Sequence, residues 1–430
     1  MQPNLKRVPY GLASFETLRQ MGFAHVDKTH YIQVLENAGT RCPLIIRPFG
    51  FGKSLFADML MAYYDKAAAQ DFAPTFAGTW INENPTPFAS RYLVLKFDFS
   101  GIDGTDETLA TNFMLKVKDG MWHFVKRYFA GNARIAAILD KTHSEPAALL
   151  IEFLTVVRNL TNDQIYLIID EYDQFAQNVL TNNPTQLRAM IVQDGFIKNF
   201  YAVIKDFAQT LIARTFITGV TSMSLDSMTS GFNIARNVSN HAEFSGAMGF
   251  TEDELLALIP QIVDTHGDER TIEHIFERMN VLYGGYRFSP ESDITILNPS
   301  LCLDYLSKLT RRKKAPADLL GSSFAINLSK LEGILALGQR NFVDEVVLNV
   351  LFDRPVSMGA LSNTINLNPT TELSSDDILS ALVFMGFLTF SKEAPDHLVC
   401  PNLAIKEVFS KYWLHRTRKF DGLAFLSNAK

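Results

Sequence analysis

Between residue 40 and about residue 222, short apolar runs alternate with longer stretches in which apolar positions recur at helical spacing. The runs Pro43 to Ile46, Tyr92 to Phe99, Ile165 to Ile169 and Thr215 to Ile217 are β-branched or aromatic and bounded by turn or charged residues. Each predicts a strand. The intervening stretches predict helices over Lys53 to Tyr64, around Ala110 to Phe129, over Pro146 to Leu160 and over Gln186 to Ala208. Strand and helix in alternation mean crossover connections, hence a largely parallel sheet with helices on both faces: an α/β three-layer sandwich.

Beyond residue 250 the pattern turns helical. Thr251-Glu252-Asp253-Glu254 reads as a capping box before Leu255-Leu256-Ala257-Leu258-Ile259. Ser374-Ser375-Asp376-Asp377 predicts the cap of a helix running through Phe384. Leu388 to Ser391 and His397 to Cys400 then read as two short strands around a polar turn, a winged-helix-like ending. Arg311-Arg312-Lys313-Lys314 with Pro316 marks a linker. The expected division is a nucleotide-binding unit over 1–250, a helical lid over 251–315 and a helical, winged-helix-like unit over 316–430.

Composition narrows the class. The chain has 430 residues with 47% hydrophobic content, enough to bury a large core. Its three cysteines, Cys42, Cys302 and Cys400, are too scattered for a disulfide framework or a zinc site. No apolar run approaches the ~20 residues that cross a bilayer, and Met-Gln-Pro-Asn-Leu-Lys-Arg lacks the apolar core of a signal peptide, so a soluble, cytoplasmic protein is expected. The formal net charge of -6 offers no global attraction to nucleic acid; Arg311 to Lys314 and Lys406 to Lys419 are locally basic, as solvated faces commonly are.

The chemistry is concentrated where the first strand ends. Leu44-Ile45-Ile46 runs through Arg47-Pro48-Phe49-Gly50-Phe51-Gly52-Lys53-Ser54-Leu55 into a helix. Glycines let main-chain N–H groups approach phosphates, Lys53 reaches β and γ oxygens, and Ser54 ligates Mg2+. The pattern G-x-x-x-x-G-K-[ST] would place glycine where Arg47 stands. Residues 47 and 50–55 are the expected nucleotide contacts. Asp170 and Glu171, at the end of a buried strand, supply the acidic partner: Asp170 as metal ligand with Ser54, Glu171 as general base for water. The alternative is that both merely cap the next helix. Thr221, and after it Thr218, are candidate γ-phosphate sensors at the strand end where open sheets bind ligands. Arg236 and Arg287 are candidate transition-state cations, Arg287 following the tight turn Gly284-Gly285-Tyr286.

Together these residues resemble the bacterial and archaeal AAA-ATPase-like family, P-loop ATPases often joined to a PD-(D/E)XK nuclease domain. The resemblance is carried by Val8-Pro9-Tyr10-Gly11, Ser14-Phe15-Glu16, Val26-Asp27-Lys28-Thr29, Arg47-Pro48 through Leu55, Leu95 to Gly101, Asp170 to Asp173, Phe244-Ser245-Gly246, Gly249 to Glu254, Gly285 to Phe288 and Met385 to Thr389 before Pro401-Asn402. It implies a catalytic-glutamate P-loop fold in which the strand with the hydroxyl sensor lies between the acidic strand and the phosphate-loop strand. It also implies ATP and Mg2+ as ligands and accounts for Arg47, since arginine-proline is common there. Two departures are expected to matter. Phe49 and Gly50 stand where the family usually has arginines, and the chain stops soon after the winged-helix-like segment, so no nuclease activity is carried over.

Three readings follow: an ATP-dependent, Mg2+-requiring molecular switch; a nucleotide-binding interaction module with little or no hydrolysis, recruiting partners through residues 250 to 430; and a DNA-associated regulator using the basic Lys406 to Lys419 segment.

Overall fold

The computed structural model describes residues 5–102, 106–174, 195–221, 232–264, 271–312, 323–361 and 373–427. Its central sheet holds β1 (Pro43–Ile46), β2 (Leu93–Asp98), β3 (Ile165–Asp170), β4 (Ile212–Gly219) and β5 (Arg236–Asn237). All pairings are parallel and the order is β2-β3-β4-β1-β5. The hydroxyl-bearing β4 therefore separates the phosphate-loop strand β1 from the acidic strand β3. Parallel strands point one way, so the C-terminal ends of β1, β4 and β3 meet on a single edge, where such sheets bind ligands.

Buried on both faces, the central strands are apolar throughout: β1 and β3 have no exposed position. On one face lies α3 (Lys53–Tyr64), with Tyr64 stacked on Tyr166 at 4.2 Å between ring centroids. On the other lie α6 (Asp106–Tyr128), α8 (Pro146–Leu160) and α9 (Gly195–Phe207), where Phe113 packs on Phe99 at 4.6 Å and on Phe200 at 5.1 Å. The helices expected over Lys53 to Tyr64 and Pro146 to Leu160 are found at those bounds. The helix expected from Gln186 begins, among described residues, at Gly195; residues 186–194 lie outside the described residues. Short elements escaped the sequence reading: α1 (Phe15–Gln20), α2 (His30–Asn37), α4 (Phe72–Phe76), α5 (Trp80–Glu83), α7 (Ala133–Asp140) and β5. Elements of two turns or fewer give too little periodicity to read.

The second half is helical: α10 (Glu252–Ile262), α11 (Ile272–Tyr283), α12 (Pro299–Arg312), α13 (Ser323–Leu335), α14 (Arg340–Leu351), α15 (Ser375–Phe384) and α16 (Leu403–Ser427). Both expected capping boxes are present: Thr251 with Glu254 opens α10, and Ser374 with Asp377 opens α15. The expected linker near residue 316 falls in 313–322, outside the described residues. After α15, β7 (Thr389–Phe390) and β8 (His397–Val399) form a hairpin, joined by β6 (Val356–Ser357) in an antiparallel sheet of order β6-β8-β7. This is the winged-helix-like ending, with an extra strand the sequence reading lacked. Among the described residues no helix is long and apolar enough to cross a membrane.

Candidate functional site

The phosphate loop spans residues 47 to 52, between β1 and α3. Gly50 (φ +86°) and Gly52 (φ +90°) take left-handed conformations that favour glycine. At Gly50 a Cβ would also fall 2.8 Å from Asn298 Oδ1. Gly52 caps α3 without a side-chain hydrogen bond, which leaves N–H groups of the first turn for an anion. Lys53 is 4% exposed, and its Nζ donates to Arg47 O (3.1 Å) and Pro48 O (3.3 Å). Burial pulls its pKa down, while Glu171, Asp170 and Asp173 pull it up. From outside, the loop is held by Asn298, whose Nδ2 donates to Phe49 O (3.0 Å), and by Ser300 N, which donates to Gly50 O (3.1 Å).

Arg47, expected to touch nucleotide, turns away from the loop. Its guanidinium donates to Ile46 O (2.8 Å), Ser239 O (2.9 Å) and Phe244 O (2.7 Å) and lies 4.2 Å from the Phe288 ring centroid. Complete burial lowers its pKa to about 9. The side chain tethers the sheet edge to residues 239–244, and its Nε is buried without a partner. Phe51 is likewise a wedge, its ring edge-on to Tyr286 (5.0 Å) and Phe288 (5.2 Å).

Asp170 ends β3 fully buried, and neither carboxylate oxygen has a hydrogen-bond partner of ordinary geometry. Burial raises its pKa; Lys96, with Nζ 3.9 Å from Oδ2, and the neighbouring Ser54 hydroxyl oppose the rise. A buried carboxylate left this way lacks a partner that a cation would supply. The donor set, one carboxylate and one hydroxyl beside a phosphate loop, fits Mg2+, which keeps waters and phosphate oxygens as its other ligands. Among the described residues no group of three or more His, Cys, Asp or Glu is arranged to cage a metal. Glu171 adopts φ +51°, a strained backbone for a non-glycine residue. Burial raises its pKa, Lys53 lowers it, and Asp170, Asp173 and Asp98 raise it further.

Thr218 Oγ1 is buried without a partner, and Thr218 sits in register with Ile45 of β1. Thr221 is engaged: its Oγ1 donates to Asp173 Oδ2 (2.8 Å) and its N–H to the same oxygen (2.6 Å). Of the two sensor candidates, then, the second choice carries the uncommitted hydroxyl. Asp173 staples the end of β4 to the acidic turn, a role the sequence reading missed although the residue was in view.

Neither arginine proposed as a transition-state cation reaches the loop. Arg287 spends its donors on Ser292 O (2.8 Å), Ser391 O (2.5 Å) and Pro290 O (3.4 Å). Arg236 pairs with Pro43, at the start of β1 and therefore at the opposite end of the strand from the loop.

Beside the loop opens a cavity of about 330 Å³, lined by residues 50–55 and Glu171 and walled by Tyr10, Val26, Met248 and Leu258. Its size suits a nucleoside, and its walls are mostly apolar. Lys28 at its rim donates to Gly246 O (2.7 Å) and Glu254 Oε2 (2.7 Å), tying the N-terminal segment to α10. The site therefore gathers Lys53, Ser54, Asp170, Glu171 and Thr218 and leaves Arg47, Arg236 and Arg287 elsewhere. Lys96 was also missed. Strand alternation was the available signal, because Lys96 and Asp98 share a face and Asp98 is in register with Asp170.

The chain is 25% identical over 316 residues to an uncharacterized protein in the vnfD 5' region of Azotobacter chroococcum mcd 1, an alignment covering 72% of this chain and 53% of that one. This chain thus spans about half the length of that relative. Among solved structures it matches Cdc6p from Pyrobaculum aerophilum (10% identical, covering 90% of this chain and 93% of that one, TM-score 0.31). It also matches the Aeropyrum pernix Orc1 protein in complex with DNA (10%, 96% and 98%, TM-score 0.37). Scores this low transfer neither activity nor partner. Residues 9–229 match the family described as Predicted AAA-ATPase, and with half of its length in that match the chain belongs to the AAA-ATPase-like family.

Proposed function

We propose that this protein binds ATP with Mg2+ at the phosphate loop and hydrolyses it slowly, as a molecular switch. The observation that carries the reading is the buried carboxylate of Asp170, balanced chiefly by Lys96 at 3.9 Å and the Ser54 hydroxyl, on the same sheet edge as Lys53. Ser54 and Asp170 are the residues that would hold Mg2+, which would supply positive charge against the charge developing on the phosphates. Glu171, which lines the cavity on a strained backbone, accepts the proton of the attacking water. Lys53 leaves the loop carbonyls it now contacts and turns to the β and γ oxygens. The first turn of α3 supplies N–H groups to the same phosphates. Thr218 senses the terminal phosphate in place of Thr221. The apolar cavity holds base and ribose, with adenine following from family membership. In this scheme residues 1–250 bind nucleotide, 251–315 form the lid and 316–430 carry the response.

The module reading is favoured by one observation: Lys53 is satisfied by carbonyls of its own loop, a closed arrangement that a weakly hydrolysing binder would keep. The DNA-associated reading loses ground at α16. There Lys406 pairs with Asp353 (2.6 Å), Arg416 with Asp344 (2.8 Å) and Lys411 with Glu407 (3.2 Å), so these basic side chains are matched within the chain.

The test is phosphate release from Mg2+-ATP and Mg2+-GTP by wild type and Glu171→Gln. Release from ATP, slowed about 100-fold or more in the variant with binding retained, is expected for a general base. Binding without any release from wild type would replace the switch with the module.

A further inference from the structure

We propose that Lys96 stands in for the metal at Asp170: its ammonium balances that carboxylate and yields the place when Mg2+ arrives with nucleotide, which keeps Mg2+ alone from binding tightly. This rests on the reading of Asp170 as a Mg2+ ligand and adds to it the device that ties metal entry to nucleotide.

Three placements carry the inference. First, Lys96 Nζ lies 3.9 Å from Asp170 Oδ2, close enough for charge attraction and too far for a hydrogen bond. Of the groups that favour the ionised form of Asp170, Lys96 acts most strongly, ahead of the Ser54 hydroxyl and Lys53. Second, Lys96 has other carboxylates to go to. Asp98 shares its face of β2 and is in register with Asp170 on β3. Asp58, on α3 one turn beyond Ser54, approaches from the helix side. Its Oδ2 accepts a hydrogen bond from Phe15 N (2.7 Å), and burial raises its pKa while that bond and Lys96 lower it. Third, 23% of the Lys96 side chain is exposed against 1% for Asp170, so the lysine can withdraw on its flexible stem and the aspartate cannot.

Mg2+ takes oxygen ligands at about 2.0–2.1 Å and sheds its water reluctantly. Twice the charge at about half the distance attracts a carboxylate roughly four times as strongly as an ammonium placed like Lys96. Against this stands the loss of hydration and the repulsion of the ammonium itself. One carboxylate and one hydroxyl, with a cation beside them, give the bare metal too little in exchange for its water. A triphosphate contributes further oxygens and negative charge, and the balance then passes to the divalent ion. Lys96 moves over to Asp58 and Asp98. When metal and phosphate leave, it returns, so Asp170 is not left buried without a countercharge. A switch built this way responds to nucleotide and not to Mg2+.

The experiment is thermal unfolding and calorimetry of the full chain with MgCl2 alone, at constant ionic strength because salt screens partly exposed charges. Wild type, Lys96→Met, Lys96→Arg and the double variant Lys96→Met/Asp170→Asn are compared. Wild type should shift little with Mg2+ alone. Lys96→Met should unfold at a lower temperature without the metal and bind Mg2+ on the order of tenfold more tightly, the effect of removing one like charge at this range. Lys96→Arg should behave as wild type, and the double variant should lose the Mg2+ response. A Lys96→Met chain that folds only when Mg2+ is supplied is the same result in a stronger form. Equal Mg2+ responses in wild type and Lys96→Met would overturn the assignment, as would a Lys96→Met chain that Mg2+ does not stabilise or a response that survives in the double variant. Mg2+-nucleotide binding by wild type, measured alongside, separates the two readings. If it is present, the nucleotide site stands whatever Lys96 does; if it is absent, the underlying reading falls and this inference with it.

Discussion

Two regions of the molecule bury polar groups and treat them in opposite ways. At the C-terminal edge of the sheet, both oxygens of Asp170 and the hydroxyl of Thr218 are buried without partners, and Glu171 sits at φ +51°. At the clasp between residues 284–298 and the winged-helix-like unit, buried polar groups are matched. Arg287 N donates to Thr389 Oγ1 (2.7 Å), which donates back to Arg287 O (2.9 Å), and Asn402 Nδ2 donates to Gly284 O (2.8 Å). A buried polar group without a partner costs about 1–3 kcal/mol. Such groups also occur elsewhere, at Tyr201 and Ser245 among others, but only at the edge do they adjoin the phosphate loop. The edge is the proposed ligand site and the clasp is architecture.

Substitutions on the two sides should separate function from stability. The largest effect is expected at Asp170. Asp170→Asn removes a buried carboxylate that Lys96, at 3.9 Å, only partly compensates, so its melting temperature should match or exceed that of wild type while Mg2+-dependent nucleotide affinity falls about tenfold or more. A variant that unfolds easily yet binds Mg2+-nucleotide normally would reverse the comparison.

Arg287→Met is the mirror image. It strands the carbonyls of Ser292 and Ser391, and about 2 kcal/mol should be lost in urea denaturation. Nucleotide affinity measured well below the transition should change little. A large affinity loss with no stability loss would place Arg287 back at the phosphates.

The smallest effect concerns His25, on the cavity wall. Burial and the Arg19 guanidinium lower its pKa from 6.5 to about 4. A folded pKa below the unfolded one means that the neutral ring's contribution is complete above about pH 6.5 and is lost as pH falls toward 4. His25→Gln should therefore flatten the stability profile in that window by about 1 kcal/mol, allowing for the ring's partial exposure. An identical acid limb in both proteins would count against the neutral ring.

Legibility in the sequence followed the range of the interactions. The bounds of β1, α3 and α8 were readable because apolar runs, glycine punctuation and an early proline act within a few residues. Lys53, Ser54, Asp170 and Glu171 could be singled out for the same reason: each sits where a strand turns into a loop or helix. Arginines were misread because their partners are remote. Arg47 is bound to Ser239 and Phe244, and Arg287 to Ser391, positions that no local pattern connects. An arginine beside a phosphate loop looks like an anion binder until those carbonyls are located. Lys96 was recoverable from strand alternation. The order of strands, with β4 between β1 and β3, came with the family resemblance, because crossover connections alone leave several orders open.

The central claim is that Lys53, Asp170 and Glu171 serve one metal-bound polyphosphate. Calorimetric titration of a non-hydrolysable Mg2+-ATP analogue into wild type and Lys53→Ala tests it most directly. The account predicts saturable one-to-one binding to wild type and affinity lower by on the order of 100-fold in the variant, as expected when a charge-assisted contact to phosphate is lost. Equal affinity in the two proteins would contradict it.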